Sequence, residues 1–277
     1  MILEADLAVD VTQDGPVRII AISRFEQARN AVDPATADAL YDAFADFAKS
    51  QDSQVAVFHG RGGAFCAGWD LKYGATLNDP AEFDREVRHR LAFPIGSAPP
   101  PRGPMGPSRM EFDKPIIAAV EGPAVAGGME LALLADCRVM GENAFMGVYC
   151  RRWGIPLIDG GTVRLPRLVG QGKALEITMT GRKVTAEECF RIGLCEKVVP
   201  DGQALEAALE MAHEIARFPK EAMLADRRSI IENHGRPIRE GLRREWANGI
   251  DATINQGTAG AGRFASGKGR SGDFGDI

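Results

Sequence analysis

Pro115-Ile-Ile-Ala-Ala-Val120 runs directly into Glu121-Gly-Pro-Ala-Val-Ala-Gly127-Gly128-Met-Glu130-Leu131, and the rest of the chain is organised around this stretch. Its first part is apolar and unbroken, which predicts a short buried strand. Its last part, from Met129 to Ala135, predicts the start of a helix. The turn between them is built of small residues. Gly127 and Gly128 put no side chain between the backbone and a ligand. Their N–H groups fall at a helix N-terminus, where unpaired donors and the helix dipole favour negative charge. An oxygen that becomes an oxyanion would be stabilised there. Glu130 follows in the first helical turn and supplies a carboxylate base on the same side. The same residues also fit a plain strand-to-helix joint, with Glu130 as an N-terminal charge.

Upstream, Val17–Ile22 reads as a strand. Asp33 and Pro34 then open a helix, as N-cap and first helical residue. Ala37, Leu40, Tyr41, Phe44, Phe47 and Ala48 follow at helical spacing, so one face is buried. Val55–Phe58 is a second buried strand, and the order strand, helix, strand implies a parallel α/β arrangement. His59-Gly-Arg-Gly-Gly-Ala-Phe-Cys-Ala-Gly-Trp-Asp-Leu71 comes next. It is glycine-rich, but Phe65 stands where a dinucleotide fingerprint needs its third glycine, and no Lys-Ser/Thr pair follows for a nucleotide P-loop. What remains is a second tight turn after a strand, Ala64 to Asp70, with backbone N–H groups exposed. Leu77 to Phe93 reads as a charged helix, a solvated face or lid. Pro94 to Pro107 holds six prolines and three glycines, which excludes helix and predicts a surface loop able to gate a pocket.

Downstream, Cys137–Met140 is a strand and Ala144–Cys150 another, or an extended segment. Trp153 to Thr162 is a turn-rich loop opening a helix. Gly172–Thr180 is helical, Thr185 to Glu188 is a capping box whose helix Gly193 closes, and Glu196–Val199 is a strand. From Asp201 no convincing strand follows. Leu205, Ala208, Leu209, Ala212, Ile215 and Ala216 form one helical stripe; Ile238, Leu242, Trp246 and Ile250 form another. The expected division is an α/β core over 1–200 and a helical region over 201–277, packed on the core or on a neighbouring subunit.

The net charge of −5 argues against nucleic acid as the main partner. Cys66, Cys137, Cys150, Cys189 and Cys195 are an odd number with no zinc-ligand spacing, so reduced thiols in a cytoplasmic protein are the simplest reading. The N-terminus lacks a basic region before an apolar run, and no span reaches ~18 uninterrupted apolar residues, so neither signal peptide nor membrane segment is expected. No Gly-x-Ser-x-Gly elbow is present, which disfavours a serine hydrolase.

Taken together, these motifs resemble the enoyl-CoA hydratase/isomerase, or crotonase, family. The resemblance runs from about Ile19 to Val199. It rests on Ala28-Arg-Asn-Ala31, the Ala-Phe-Cys-Ala-Gly-Trp-Asp turn, Lys114-Pro-Ile-Ile-Ala-Ala-Val-Glu-Gly, the Ala-Gly-Gly-Met-Glu turn, Asp136, and Gly160-Gly-Thr-Val-Arg-Leu165. It implies an α/β spiral of repeated ββα units with a helical C-terminal trimerisation region, hence a homotrimer or dimer of trimers. It implies an acyl-CoA thioester as ligand and substrate, with no metal or redox cofactor needed. By position, the oxyanion hole would be the Trp69 and Gly127 amides. Ala67 and the run Trp69, Asp70, Leu71, Lys72 would line the coenzyme A side together with Gly128. Phe264, Lys268 and Arg270 would meet the adenine and phosphate, or form only a solvated basic tail.

Hydratases of that family use two glutamates. One falls at Glu130; the other falls at Cys150, and a thiol is a poor carboxylate substitute. Asp159 matches an acidic position of some dienoyl-CoA isomerases and dehalogenases of the fold, and fits equally as an N-cap before Gly160-Gly-Thr. Arg151 and Arg152 are either a solvated pair or partners of Asp159. The leading expectation is hydration of a 2-enoyl-CoA to a 3-hydroxyacyl-CoA, a step of fatty acid metabolism, with Glu130 as main acid/base, Asp159 as a second and Cys150 in the substrate pocket. The alternatives are an enoyl-CoA isomerase, or an acyl-CoA binding protein that kept the pocket and lost hydration.

Overall fold

The structure is a computed structural model in which residues 8–269 are described. Its strands, in chain order, are β1 (Val9–Asp14), β2 (Val17–Ile22), β3 (Val55–Gly60), β4 (Ile116–Val120), β5 (Pro123–Val125), β6 (Cys137–Gly141), β7 (Phe145–Gly147), β8 (Val184–Thr185) and β9 (Lys197–Val199). A six-stranded sheet runs β1-β2-β3-β4-β6-β9, and a three-stranded sheet runs β5-β7-β8. β1 and β2 form an antiparallel hairpin; the other neighbours in the large sheet are parallel.

The chain winds as a coil. β4 enters the large sheet and the adjoining β5 the small one; β6 and β7 repeat the step. Isolated bridges extend the stack to the turn after β3, where Cys66 pairs with Ala124 and Trp69 with Val32. Each coil therefore delivers the residue after its first strand to the same edge. β4 is buried at all five positions, as its unbroken apolar sequence requires. Helix Pro34–Lys49 starts at Asp33, whose side chain accepts from the Thr36 N–H, and buries Phe44 edge-on against Phe58 with ring centroids 5.2 Å apart.

Three features differ from the sequence expectation. The Leu77–Phe93 segment is a short helix, Pro80–Phe83, continued by wider turns over Asp84–His89. The proline-rich segment is exposed only in its first half; Gly103 to Ser108 is buried throughout. Arg138 is fully buried in β6, donating to the carbonyls of Leu194 (2.9 Å) and Ala135 (2.7 Å) and pairing with Glu196 (2.9 Å). Nothing in the local pattern announces that burial.

The chain forms two compact units, Met1–Ala212 and His213–Ile277. The division falls inside helix Ala204–Arg217 rather than at residue 200, because Ala204, Ala207, Ala208 and Ala212 bury that helix's first turns in the first unit. Its N-terminus is fixed there by Glu121, which accepts from the Ala204 N–H at 2.9 Å. In the second unit, Lys220–Glu232 and Ile238–Ala252 pack on each other, with Asn248 donating to Ser229 at 3.1 Å. The Ile238, Leu242 and Trp246 stripe is exposed, as are Ile230 and Ile231. No helix of the described residues is long and apolar enough to cross a membrane.

Candidate active site

Two turns meet at the edge that the coil builds. In the first, Val32 donates to the Gly68 carbonyl (2.8 Å) and accepts from the Asp70 N–H (2.9 Å). Alternation along extended backbone then turns the Trp69 N–H away from Val32. In the second turn, Ala126 donates to Gly147 at 2.8 Å and adopts φ 54, ψ −125, unusual for a residue with a side chain. That conformation delivers Gly127 as the first residue of helix Gly127–Ala132. Neither the Trp69 nor the Gly127 amide has a backbone acceptor among the described residues.

The closeness of the two turns is legible in what they exclude. Gly68 has φ +98, and a Cβ there would lie 3.0 Å from the Val125 carbonyl and 3.2 Å from the Gly127 nitrogen. A Cβ on Gly128 would lie 2.1 Å from the Cys66 carbonyl, so Gly128 lets the helix seat on the neighbouring loop and does not face the cavity. A Cβ on Gly127 would meet the Met105 sulfur at 2.6 Å.

Ala67, Trp69, Gly127, Glu130, Cys150 and Asp159 all line one cavity of about 140 Å³. Its remaining walls are apolar, among them Leu71, Phe83, Val87, Tyr149 and Trp153. Glu130 is buried, and its Oε1 accepts from the N–H groups of Asp159 (2.9 Å) and Gly161 (2.8 Å). Oε2 has no partner among the described residues. Burial, reinforced by the Asp159 charge and opposed by the two N–H groups, pushes the Glu130 carboxyl up to about 8. Such a group holds a proton at neutral pH yet can release it.

Asp159 is not a helix cap: helix Gly161–Val169 starts from Gly160 with no side-chain cap. Its Oδ1 instead accepts from the Met105 N–H (3.0 Å) and the Ser108 hydroxyl. Burial raises its pKa; those two donors, then Arg109 and Arg164, oppose the rise. Arg151 and Arg152 do not reach it. Arg151 donates to the Thr178 carbonyl (3.4 Å), and Arg152 lies 3.8 Å over the Tyr149 ring.

Cys150 is buried, and burial followed by the Glu130 charge pushes its thiol up despite Arg151. A neutral thiol thus stands in the cavity wall. Asp70 and Lys72 are not in that wall. Asp70 caps helix Leu71–Gly74 by accepting from the Lys72 and Tyr73 N–H groups, and it pairs with Arg24 at 3.4 Å. Phe264 is an exposed residue of helix Thr258–Ala265 in the second unit, and Arg270 lies outside the described residues. The residues that the sequence did not single out are Met105, Ser108 and Arg109, while Arg164 stood in the Gly160-Gly-Thr-Val-Arg-Leu165 run with no role assigned. The first three come from a segment distant from Asp159 with no local motif. Among the described residues, no cluster of three or more His, Cys, Asp and Glu is arranged to hold a metal ion.

The sequence pattern of the enoyl-CoA hydratase/isomerase family matches residues 13–92 and 108–245. An enoyl-CoA hydratase of Mycobacterium tuberculosis is 35% identical over 252 residues, covering 88% of this chain and 88% of that protein. A carnitinyl-CoA dehydratase of Salmonella typhi is 34% identical over 239 residues, covering 85% of each. The crystal structure of an enoyl-CoA hydratase from Mycobacterium tuberculosis superposes with a TM-score of 0.81 at 32% identity, covering 94% of this chain and 96% of that one.

Proposed function

This chain belongs to the enoyl-CoA hydratase/isomerase family and has its crotonase fold, and from that premise we propose that it adds water reversibly across the double bond of a 2-enoyl-CoA. The names of its relatives divide between hydratase and dehydratase, one reaction run in two directions.

One observation carries the proposal. The Glu130 carboxyl is fixed through Oε1 by two backbone N–H groups, while Oε2 has no partner among the described residues, and Glu130 lines an apolar cavity together with Trp69 and Gly127. The thioester oxygen is received by the Trp69 and Gly127 amides. As water attacks the β-carbon, charge moves onto that oxygen, and the preorganised N–H dipoles stabilise it. The ionised fraction of Glu130 takes a proton from the attacking water, and the carboxyl so protonated gives one to the α-carbon, so hydroxyl and hydrogen are added with no net change in oxidation state. Asp159, in the same wall, is the second proton carrier. Nothing in this sequence of steps calls for a metal or a redox group. The apolar walls favour an acyl substituent without charge.

A second reading has one observation in its favour. Cys150 is a neutral thiol at the place where the resemblance sets a second glutamate, and a single carboxyl suffices to move a proton between two carbons. That is isomerase chemistry. Turnover of enoyl-CoAs in ¹⁸O-water separates the readings: hydratase places ¹⁸O in the product, an isomerase does not, and a binding protein gives no product. On a substrate the wild type turns over, Glu130→Gln should lose ~10²-fold or more in rate with affinity within ~tenfold. Asp159→Asn should lose about as much, and Cys150→Ala should keep most activity. An active Glu130→Gln sinks the assignment; an inactive Cys150→Ala beside an active Asp159→Asn inverts the roles of the two.

A further inference from the structure

Residues 93–107 fall between the two stretches that the family pattern matches. The second half of this segment is built into the active site. Gly103 and Gly106 exchange both backbone hydrogen bonds, each 3.0 Å, closing a small loop. A Cβ on Gly103 would lie 2.0 Å from the Ser108 hydroxyl and 3.0 Å from Asp159 Oδ1, so the loop presses directly on that pair. Met105 touches both halves of the machinery: its N–H holds Asp159, and its side chain backs Gly127. Arg164 ties the arrangement from the other side, donating to the Asp159 carbonyl (3.1 Å) and the Ser108 carbonyl (2.8 Å). The Asp159 N–H in turn donates to Glu130.

We propose that Gly103–Ser108 is a positioning strap of this chain, and that Ser108 is a positioning residue that acts through Asp159 and sets which protonation state Asp159 offers to the substrate. The role of Asp159 as proton carrier rests on the function proposed above; its hold by the strap does not. The Ser108 hydroxyl donates to the carboxylate and so favours the ionised form. The other charged or titratable groups facing Asp159 are Glu130 from its helix, Arg109 from the end of the strap and Arg164 from helix Gly161–Val169; Cys150 in the same wall is a neutral thiol. None of these replaces a hydroxyl bound directly to Oδ1.

The test compares Ser108→Ala and Ser108→Thr, each alone and with Asp159→Asn. Removing the donor weakens the ionised form, so the Asp159 titration moves to higher pH. This is read by ¹³C-carboxyl NMR of aspartate-labelled protein, which needs no substrate, with Asp159→Asn identifying the resonance. In kinetics, Ser108→Ala should lower kcat ~tenfold or more with KM little changed. The kcat–pH limb should move upward, Ser108→Thr should restore both, and the double variant should be no worse than Asp159→Asn alone. An unmoved Asp159 titration, or a Ser108→Ala loss that adds fully to that of Asp159→Asn, overturns the proposal. If the titration moves but Glu130→Gln retains full activity, the strap stands and the reaction assigned to the site falls.

Discussion

At the residue scale, Glu130 was readable because the backbone that carries it is local: a strand, a small-residue turn and the first turn of a helix lie within one continuous stretch. Its chemistry was less readable. The raised pKa comes from burial and from Asp159, 29 positions away in sequence, and no spacing rule reports such a neighbour. Asp159 itself was legible as a residue but ambiguous as a role, because its partners Met105 and Ser108 are 54 and 51 positions away. The buried carboxyl of Glu130 has a consequence for stability. Its folded pKa, about 8, lies above the unfolded value near 4.5. The native state therefore binds the extra proton between those values, and the associated stability is full below about pH 4.5 and is lost as pH rises through 8. Glu130→Gln lacks this slope. Urea midpoints of wild type and Glu130→Gln at pH 5.5, 7 and 8.5 should show the variant gaining on wild type as pH rises. A difference constant across that range would mean that Glu130 is not held protonated.

At the scale of elements, the strands and the capped helix Pro34–Lys49 were legible because their signals are periodicity, unbroken apolar runs and an Asp-Pro start. The proline-rich segment was not. Its composition correctly excludes helix, but composition does not distinguish a solvated loop from one buried by contacts with distant residues. The turn at Gly68 is the element whose shape controls chemistry most directly. Gly68→Ala demands a left-handed backbone from a residue with a side chain, at a cost of ~1–3 kcal/mol. It also drives a Cβ between the Val125 carbonyl and the Gly127 amide. Loss of one oxyanion donor is worth ~10²–10³ in rate. Gly68→Ala should thus lose ~10²-fold or more in kcat and show a lower denaturation midpoint. Wild-type kcat in a folded Gly68→Ala protein would move the oxyanion site elsewhere.

At the scale of the whole molecule, the second unit carries more apolar surface than a solvent-facing helical pair needs. Ile230, Ile231, Ile238, Leu242 and Trp246 are all at least half exposed, and exposed apolar surface, where it is contiguous, marks protein interfaces. The expected state is a homotrimer or a dimer of trimers, read by light scattering at micromolar concentration. Trp246→Glu should shift the distribution toward monomer. A wild-type monomer would leave that face without the expected occupant.

The five cysteines offer a last consequence. None of them is in a disulfide, four are buried, and burial pushes the thiols of Cys66 and Cys195 up to about 12. Oxidants and alkylating reagents attack the thiolate, so in the native protein Cys66 and Cys195 should be slow to react with peroxide or iodoacetamide at neutral pH. Reaction at those positions must wait for the chain to open. The rate at which iodoacetamide enters Cys66, followed by mass spectrometry, therefore becomes a clock for opening of the sheet-side turn that shapes the oxyanion hole, and a ligand seated there should slow it.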